Sequence, residues 1–180
     1  VKKGISLFEQ MAQEQHVTMT VNMPDEPLKI MCAKDSILTI ITNLLSNAVK
    51  YGKQKIDISV ECNDGKTAIV KVNSDGEVIP EFEKEKIFQI FFQRDGAAKE
   101  GQGTGLGLPY ARNLANMHNG KLYLDNSIPD MNSFVLELPV EQAEGMNIVM
   151  PPVSQKPSER ENIEYDNSRH TVLLVEDSEE

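Results

Sequence analysis

Apolar residues recur at helical spacing in the first third of the chain. Ile37, Ile41, Leu44, Leu45 and Ala48 fall on one side; Asn43, Asn47 and Lys50 fall on the other, with Tyr51 beside them. This predicts an amphipathic helix ending near Tyr51, with Asp35 or Ser36 as its cap. Upstream, residues 4–15 read as a helix, with Ser6 and Glu9 at capping-box spacing and Leu7, Phe8 and Met11 a turn apart. Residues 16–21 alternate and are β-branched, hence a strand, and 24–27 read as a turn. Residues 28–32 are expected to form a second short strand.

Downstream, 56–61 and 68–72 read as strands joined by a hairpin turn at Asn63-Asp64-Gly65. Pro80 opens a short helix ending at 87–93, and most of its phenylalanines (Phe88, Phe91 and Phe92) are expected to pack in the core. Residues 94–102 are small, polar and patternless, a loop or a lid. A helix is predicted over 109–117, stopped by His118-Asn119-Gly120 with Gly120 left-handed. Two strands close the pattern, 121–125 and 134–140, with Phe134, Leu136, Leu138 and Val140 alternating. Residues 142–170 form a polar, Pro-containing linker. Residues 171–180 open with a buried-type strand ending in Glu176 and Asp177.

The polar face of the central helix carries chemistry. Asn43 and Asn47 are i and i+4, so their amides lie one turn apart. An amide oxygen is a hard, neutral ligand suited to magnesium held on phosphates. Lys50 supplies positive charge one turn on, and Tyr51 offers a flat surface. Asparagine is a poor helix former, so two of them mid-helix need a reason beyond exposure. Gly103-Thr104-Gly105-Leu106-Gly107-Leu108 leads into a helix whose first turn holds Pro109. Glycines at a helix entrance expose N–H groups where the helix dipole is positive, and phosphate binds there. Gly76 allows a close backbone approach, or simply makes a strand-to-helix loop. His16 has no charged neighbour to tune it and reads as a helix-to-strand junction.

Charge and composition narrow the classes. The 180 residues carry a formal net charge of -10, which argues against nonspecific nucleic-acid binding. An anionic ligand remains compatible, because a site can be locally positive on an acidic protein. Cys32 and Cys62 have no metal-ligand spacing and read as reduced thiols. No apolar run reaches the ~20 residues of a membrane helix, and no signal peptide is visible, so this stretch is expected to be cytoplasmic and to make no membrane contact.

In order, an Asn-rich helix, a glycine loop, a Phe-rich helix end, a lid-like stretch and a G-T-G-L-G-L helix entrance resemble the catalytic ATP-binding domain of sensor histidine kinases. The resemblance covers about residues 5–140. Residues 43–51 resemble its N box, 88–92 its F box, and 103–108 its second glycine box. It implies a two-layer α/β sandwich, the Bergerat ATP-binding fold, with a mixed, mostly antiparallel sheet on three helices. The domain would span 1–141.

The resemblance also implies roles. Asn47 would hold Mg²⁺, Asn43 would support the phosphates or a metal water, Lys50 would contact phosphate and Tyr51 would lie near the adenine. Gly103, Thr104, Gly105, Leu106, Gly107 and Leu108 would form the phosphate loop and its hinges. The first glycine box would contribute Ser74, Asp75, Gly76 and Ile79, and the F box Phe88. That first box departs from the family pattern. Ser74 stands where an Asp usually accepts the adenine amino group, and Val78 where a second Gly stands. Asp75 is a candidate substitute through a shifted loop.

The implied activity is transfer of the γ-phosphoryl group of ATP to a histidine on a helical hairpin expected before residue 1. Residues 172–177 resemble the first strand of a response-regulator receiver domain, which suggests a hybrid kinase. The expected partners are ATP, the hairpin and a receiver domain. The parent is expected to be a homodimeric, membrane-anchored bacterial sensor. Two alternatives stand beside this: an ATP hydrolase of the same superfamily, and a nucleotide-sensing scaffold without catalysis. The hydrolases carry a Glu one turn before the magnesium Asn, where this chain has Asn43, a poor base.

Overall fold

The computed structural model describes residues 2–24, 28, 30, 32–94 and 104–140. Its elements run α1 (Lys2–Glu14), β1 (Thr18–Asn22), α2 (Lys34–Tyr51), β2 (Lys55–Asn63), β3 (Thr67–Ser74), two 3₁₀ turns (Glu81–Glu83 and Lys86–Phe88), α3 (Gly107–Met117), β4 (Lys121–Asp125) and β5 (Asn132–Pro139). The five strands form one sheet in the order β1-β2-β3-β5-β4. β1 and β2 are parallel, and α2 is the crossover that this requires; every other pairing is antiparallel. With α1, α2 and α3, this is the expected α/β sandwich.

The core lies between helices and sheet. Strand alternation sends Ile56, Ile58, Val70, Val72, Leu136 and Leu138 to the same interior. They meet Ile5, Phe8 and Ala12 of α1, and Ile37, Ile40, Ile41, Leu44, Leu45, Ala48 and Val49 of α2. A fully buried Leu or Ile stabilises by about 1.5–3 kcal/mol. The apolar face of α2 therefore fixes the helix by itself and leaves the Asn43–Asn47 face free for chemistry. At the β2–β3 turn, Asp64 and Gly65 both have positive φ, +52° and +67°, as a tight hairpin needs.

Several local expectations are corrected. α1 begins at Lys2, so positions 6 and 9 fall inside the helix rather than at its start; burial of Ile5 extends the apolar stripe a turn earlier. α2 begins at Lys34 with Ala33 at the N-cap and no side-chain cap, so neither Asp35 nor Ser36 caps it. Asp35 sits in the first turn, where the helix dipole favours an anion. The Ala33 N–H instead donates to Nε2 of His118 at 3.1 Å, while the other ring nitrogen donates to the Leu114 carbonyl at 2.8 Å. The fully buried His118 thus ties the start of α2 to the end of α3. The left-handed residue there is Asn119 (φ +53°), not Gly120. A Cβ on Gly120 would lie 2.3 Å from the Glu137 carbonyl oxygen, so this glycine serves close packing on β5.

Leu28, Ile30 and Cys32 are not in a strand; Ile30 and Cys32 pack on the core instead. The predicted helix after Pro80 is replaced by the two 3₁₀ turns. Most of the three phenylalanines pack in the core as expected: Phe88 is buried and Phe92 is partly buried against the core, while Phe91 is 72% exposed with φ +65°. His16 joins α1 to β1 in a left-handed conformation. The linker and the final strand at 171–180 lie outside the described residues.

On the open face of the sheet, the Tyr123 hydroxyl donates to Glu137 Oε1 at 2.8 Å. Partial burial, that bond, and the charges of Glu137 and Asp125 push the phenol up to about 12. The folded value is raised, so this stabilisation is complete below the ordinary tyrosine value of 10.0 and is lost as pH rises through about 12. Ultraviolet titration should show one tyrosine ionising late, and Tyr123→Phe should remove that step. A titration that Tyr123→Phe leaves unchanged would contradict the pairing.

Candidate functional site

A cleft of about 510 Å³ opens where α2, the ends of β3 and β5, and the entrance to α3 meet. That volume suits a ligand of nucleotide size. One wall is the polar face of α2: Asn43, Ser46, Asn47, Lys50 and Tyr51. The facing wall is Thr104, Gly105, Gly107, Leu108 and Pro109 at the start of α3. Ser74, Ile79, Asn132 and Phe134 line it from the sheet side, and Lys53, Glu77, Ile87, Phe92, Gln93 and Arg94 line it as well.

The two walls touch at Asn43 and Gly107. A Cβ on Gly107 would come within 2.5 Å of Asn43 Oδ1, so a larger residue there would displace that amide. Asn43 donates Nδ2–H to the Thr39 carbonyl at 2.9 Å, which orients its oxygen. Gly105 has φ +69°, and its Cβ would lie 2.9 Å from the Phe91 main chain. Its carbonyl accepts the Phe91 N–H at 3.1 Å, so the glycine loop is bonded directly to the segment after the 3₁₀ turns. Lys50 Nζ lies over the Tyr51 ring, 4.8 Å from its centre.

The sheet end of the cleft follows from strand periodicity. Ala68, Val70, Val72 and Ser74 alternate on the helix-facing side of β3, so Ser74 is directed inward and is 4% exposed. Asp75 falls on the other phase. Its carboxylate accepts the main-chain N–H groups of Lys53 and Gln54, at 2.9 and 3.0 Å, and is absent from the lining. Burial opposes its ionisation, but the N–H groups around it outweigh that and hold the carboxyl below its ordinary value. The shifted-loop role for Asp75 is thus not the arrangement found. Gly76 packs against α2 rather than the cleft: its Cβ would be 2.3 Å from the Tyr51 carbonyl oxygen.

Of the remaining sequence candidates, Phe88 is buried edge-on against Phe134, with Arg112 over its ring, and does not line the cleft. Arg112 also pairs with Glu85 at 2.7 Å and holds that carboxyl below its ordinary value. Leu106 faces a separate shallow groove with Ile90, Pro109 and Tyr110. Gly103 lies outside the described residues. Asn43, Asn47, Lys50, Tyr51, Ser74, Ile79, Thr104, Gly105, Gly107 and Leu108 do converge on the cleft.

Sequence reasoning missed Asn132 and Arg94. Asn132 is buried; its Oδ1 accepts the Ile79 N–H at 2.8 Å and its Nδ2 donates to the Glu77 carbonyl at 3.0 Å. It therefore shapes the loop that carries Ile79. Arg94 bonds Glu83 at 2.7 Å and Glu77 at 3.1 Å. A lone Asn two residues before a predicted strand, and an Arg opening a polar loop, carry no periodic signal.

Residues 32–142 match the family described as histidine kinase-, DNA gyrase B-, and HSP90-like ATPase. The chain belongs to this family. Within it, the similarity runs to the catalytic ATP-binding domain of sensor histidine kinases. The chain is 31% identical over 142 residues to sensor histidine kinase WalK of Bacillus subtilis (strain 168), covering 77% of this chain and 23% of that protein. Among solved structures, the catalytic domain of histidine kinase ThkA superposes with a TM-score of 0.67 at 29% identity, covering 77% of this chain and 90% of that one. A structure of ThkA in complex with the response regulator protein TrrA matches with a TM-score of 0.65 at 26% identity, covering 78% of this chain and 39% of that one. The chain thus corresponds to nearly the whole of a histidine kinase catalytic domain and to less than a quarter of WalK.

The histidine kinase family fits the cleft's donor set. Among the described residues, no group of three or more His, Cys, Asp or Glu could hold a metal. On the α2 wall, a cation would meet the amide side chains of Asn43 and Asn47. Also among the described residues, no helix is long and apolar enough to cross a membrane.

Proposed function

We propose that the cleft binds Mg-ATP and that the domain donates the γ-phosphoryl group to a histidine on a helical hairpin elsewhere in the parent chain. The observation that carries this reading is the meeting of two walls at Asn43 and Gly107, carboxamides on one side and a glycine-rich helix entrance on the other. Main-chain N–H groups at that entrance suit the phosphate chain. Asn47 and Asn43 offer hard oxygen donors, and Mg²⁺ held there would neutralise phosphate charge. Lys50 adds a cation at the same wall.

In the transfer itself, an imidazole nitrogen of the acceptor forms a bond to the γ-phosphorus while the bond to the β,γ-bridging oxygen breaks. ADP leaves with that electron pair. The transition state is loose, so this chain's residues act by positioning and by offsetting charge. Among the described residues that line the cleft, Glu77 is the single carboxylate, and it pairs with Arg94. Asn43 on the α2 wall is a neutral amide and a poor base for activating water, so the arrangement favours transfer over the hydrolysis of the gyrase-type relatives.

The wider reading adds a response regulator or receiver domain as the next acceptor. The complex of ThkA with TrrA supports that partner, and residues 172–177 support a receiver on the same chain. A dimeric, membrane-anchored parent remains part of this proposal. The rival reading, a nucleotide-sensing scaffold, draws on Ser74 and Val78.

Incubation with γ-labelled ATP and a supplied acceptor hairpin tests the proposal. Label should reach the hairpin only when the domain, ATP and Mg²⁺ are all present. Rapid ATP turnover without the hairpin would favour the hydrolase, and nucleotide binding without transfer would favour the scaffold.

A further inference from the structure

We infer that Ser74 makes the base end of this cleft indifferent to the purine 6-substituent, so that the site accepts GTP as well as ATP. The inference rests on the nucleotide-binding reading above and specifies its substrate class.

The cleft has two ends along α2. Asn43 lies beside Gly107 at one end, and Tyr51 lies beside Gly76, next to Ser74 at the end of β3, at the other. Eight residues of helix separate them, about 12 Å. Phosphate belongs at the glycine-rich entrance to α3, which leaves the Tyr51–Ser74 end for the base. Here Ser74 is nine-tenths buried and lines the cleft, and its hydroxyl has no hydrogen-bond partner among the described residues. The hydroxyl opens on the cleft, so a ligand atom that pairs with it takes the place of water there.

What the hydroxyl can pair with decides the selectivity. A carboxylate only accepts, and so selects a 6-amino group and repels a 6-oxo group. A serine hydroxyl donates one hydrogen and accepts through two lone pairs. It can serve either purine by rotating. Among the described residues, no other anion corrects for this. Asp75 is committed to Lys53 and Gln54 on the far side of the strand, and Glu77 is committed to Arg94. Asn132, directly opposite Ser74 in the β3–β5 register, keeps one further Nδ2–H beyond its bond to Glu77. That is a second donor a 6-oxo group can use.

Calorimetric titration of the domain with Mg-ATP and with Mg-GTP tests this, on the native protein and on Ser74→Ala and Ser74→Asp. The native affinities should agree within about tenfold. Ser74→Ala should weaken both nucleotides together, by roughly three- to tenfold, the loss of one hydrogen bond. Ser74→Asp should separate them by about 100-fold or more in favour of ATP, because the buried carboxylate rejects the 6-oxo group. If Ser74→Asp does not fold, judged by its melting curve, the native ratio and Ser74→Ala still decide. Native binding of ATP with GTP weaker by about 100-fold would overturn the inference and leave the proposed function intact. Equal affinities that Ser74→Ala does not change would overturn the role of Ser74. Failure of both nucleotides to bind would overturn the proposed function itself.

Discussion

Asn47→Ala should abolish useful phosphoryl transfer while leaving the fold intact. Asn47 is half-buried on the cleft wall of α2, opposite the Leu44–Leu45 face that holds the helix on the sheet. Removing its amide takes nothing from the core. Alanine is also the better helix former, so melting should hold steady or rise slightly, by at most about 0.7 kcal/mol. Loss of one preorganised group at a site of developing charge costs about 10²–10³ in rate. The transfer rate to a supplied hairpin, measured across a magnesium titration, checks this. The variant should lose rate and need more magnesium. Asn43→Ala should do less, because part of the Asn43 amide is already engaged with the Thr39 carbonyl. An Asn47→Ala protein with native rate and native magnesium dependence would remove the proposed metal ligand.

Gly76→Ala should cost both stability and nucleotide binding. The added methyl would sit 2.3 Å from the Tyr51 carbonyl oxygen and 3.0 Å from its carbon, both main-chain atoms that cannot swing away. Either the 75–79 loop lifts or the end of α2 frays. Overpacking of this kind costs about 1–3 kcal/mol. Lifting the loop would also strain the Asp75 bonds to Lys53 and Gln54 and move Ser74 and Ile79, which line the cleft. Melting and ATP titration measured together read both effects. Gly65→Ala is the control: its φ of +67° imposes a backbone strain of about 1–2 kcal/mol, but no atom lies within 4 Å of the new methyl. That variant should lose some stability and keep its nucleotide affinity. Equal behaviour of the two variants would refute the Gly76 contact.

The contrast between those two glycines also explains how far the sequence could be read. Gly65 was legible because a hairpin turn between two alternating strands is a local event, written in the residues that make it. The apolar face of α2 was legible for the same reason, since five buried positions repeat at one period. Gly76 has no such mark. Its reason is the carbonyl of Tyr51, distant in sequence and reached only when β3 is paired beside β2. The cap of α2 went astray similarly: the partner of the Ala33 N–H is His118, on another helix, so local capping preference gave Asp35 or Ser36. Hydrophobicity alone could not say which of Phe88, Phe91 and Phe92 stays out of the core; the bond from the Phe91 N–H to the Gly105 carbonyl sets that backbone and leaves its ring outside. In the cleft, the glycine-loop and asparagine positions came from local pattern and from resemblance. Asn132 came from neither, because its two bonds reach back to Glu77 and Ile79 across the sheet.

The bond between Phe91 and Gly105 has one more result. It ties the two ends of the intervening stretch together at a fixed base. Chain added between tethered ends is penalised only logarithmically, about 0.6 kcal/mol for each doubling of length. The anchored glycine loop and the α2 wall are therefore insulated from whatever length that stretch takes. A change in the length of that stretch should cost the Asn43–Gly107 contact little.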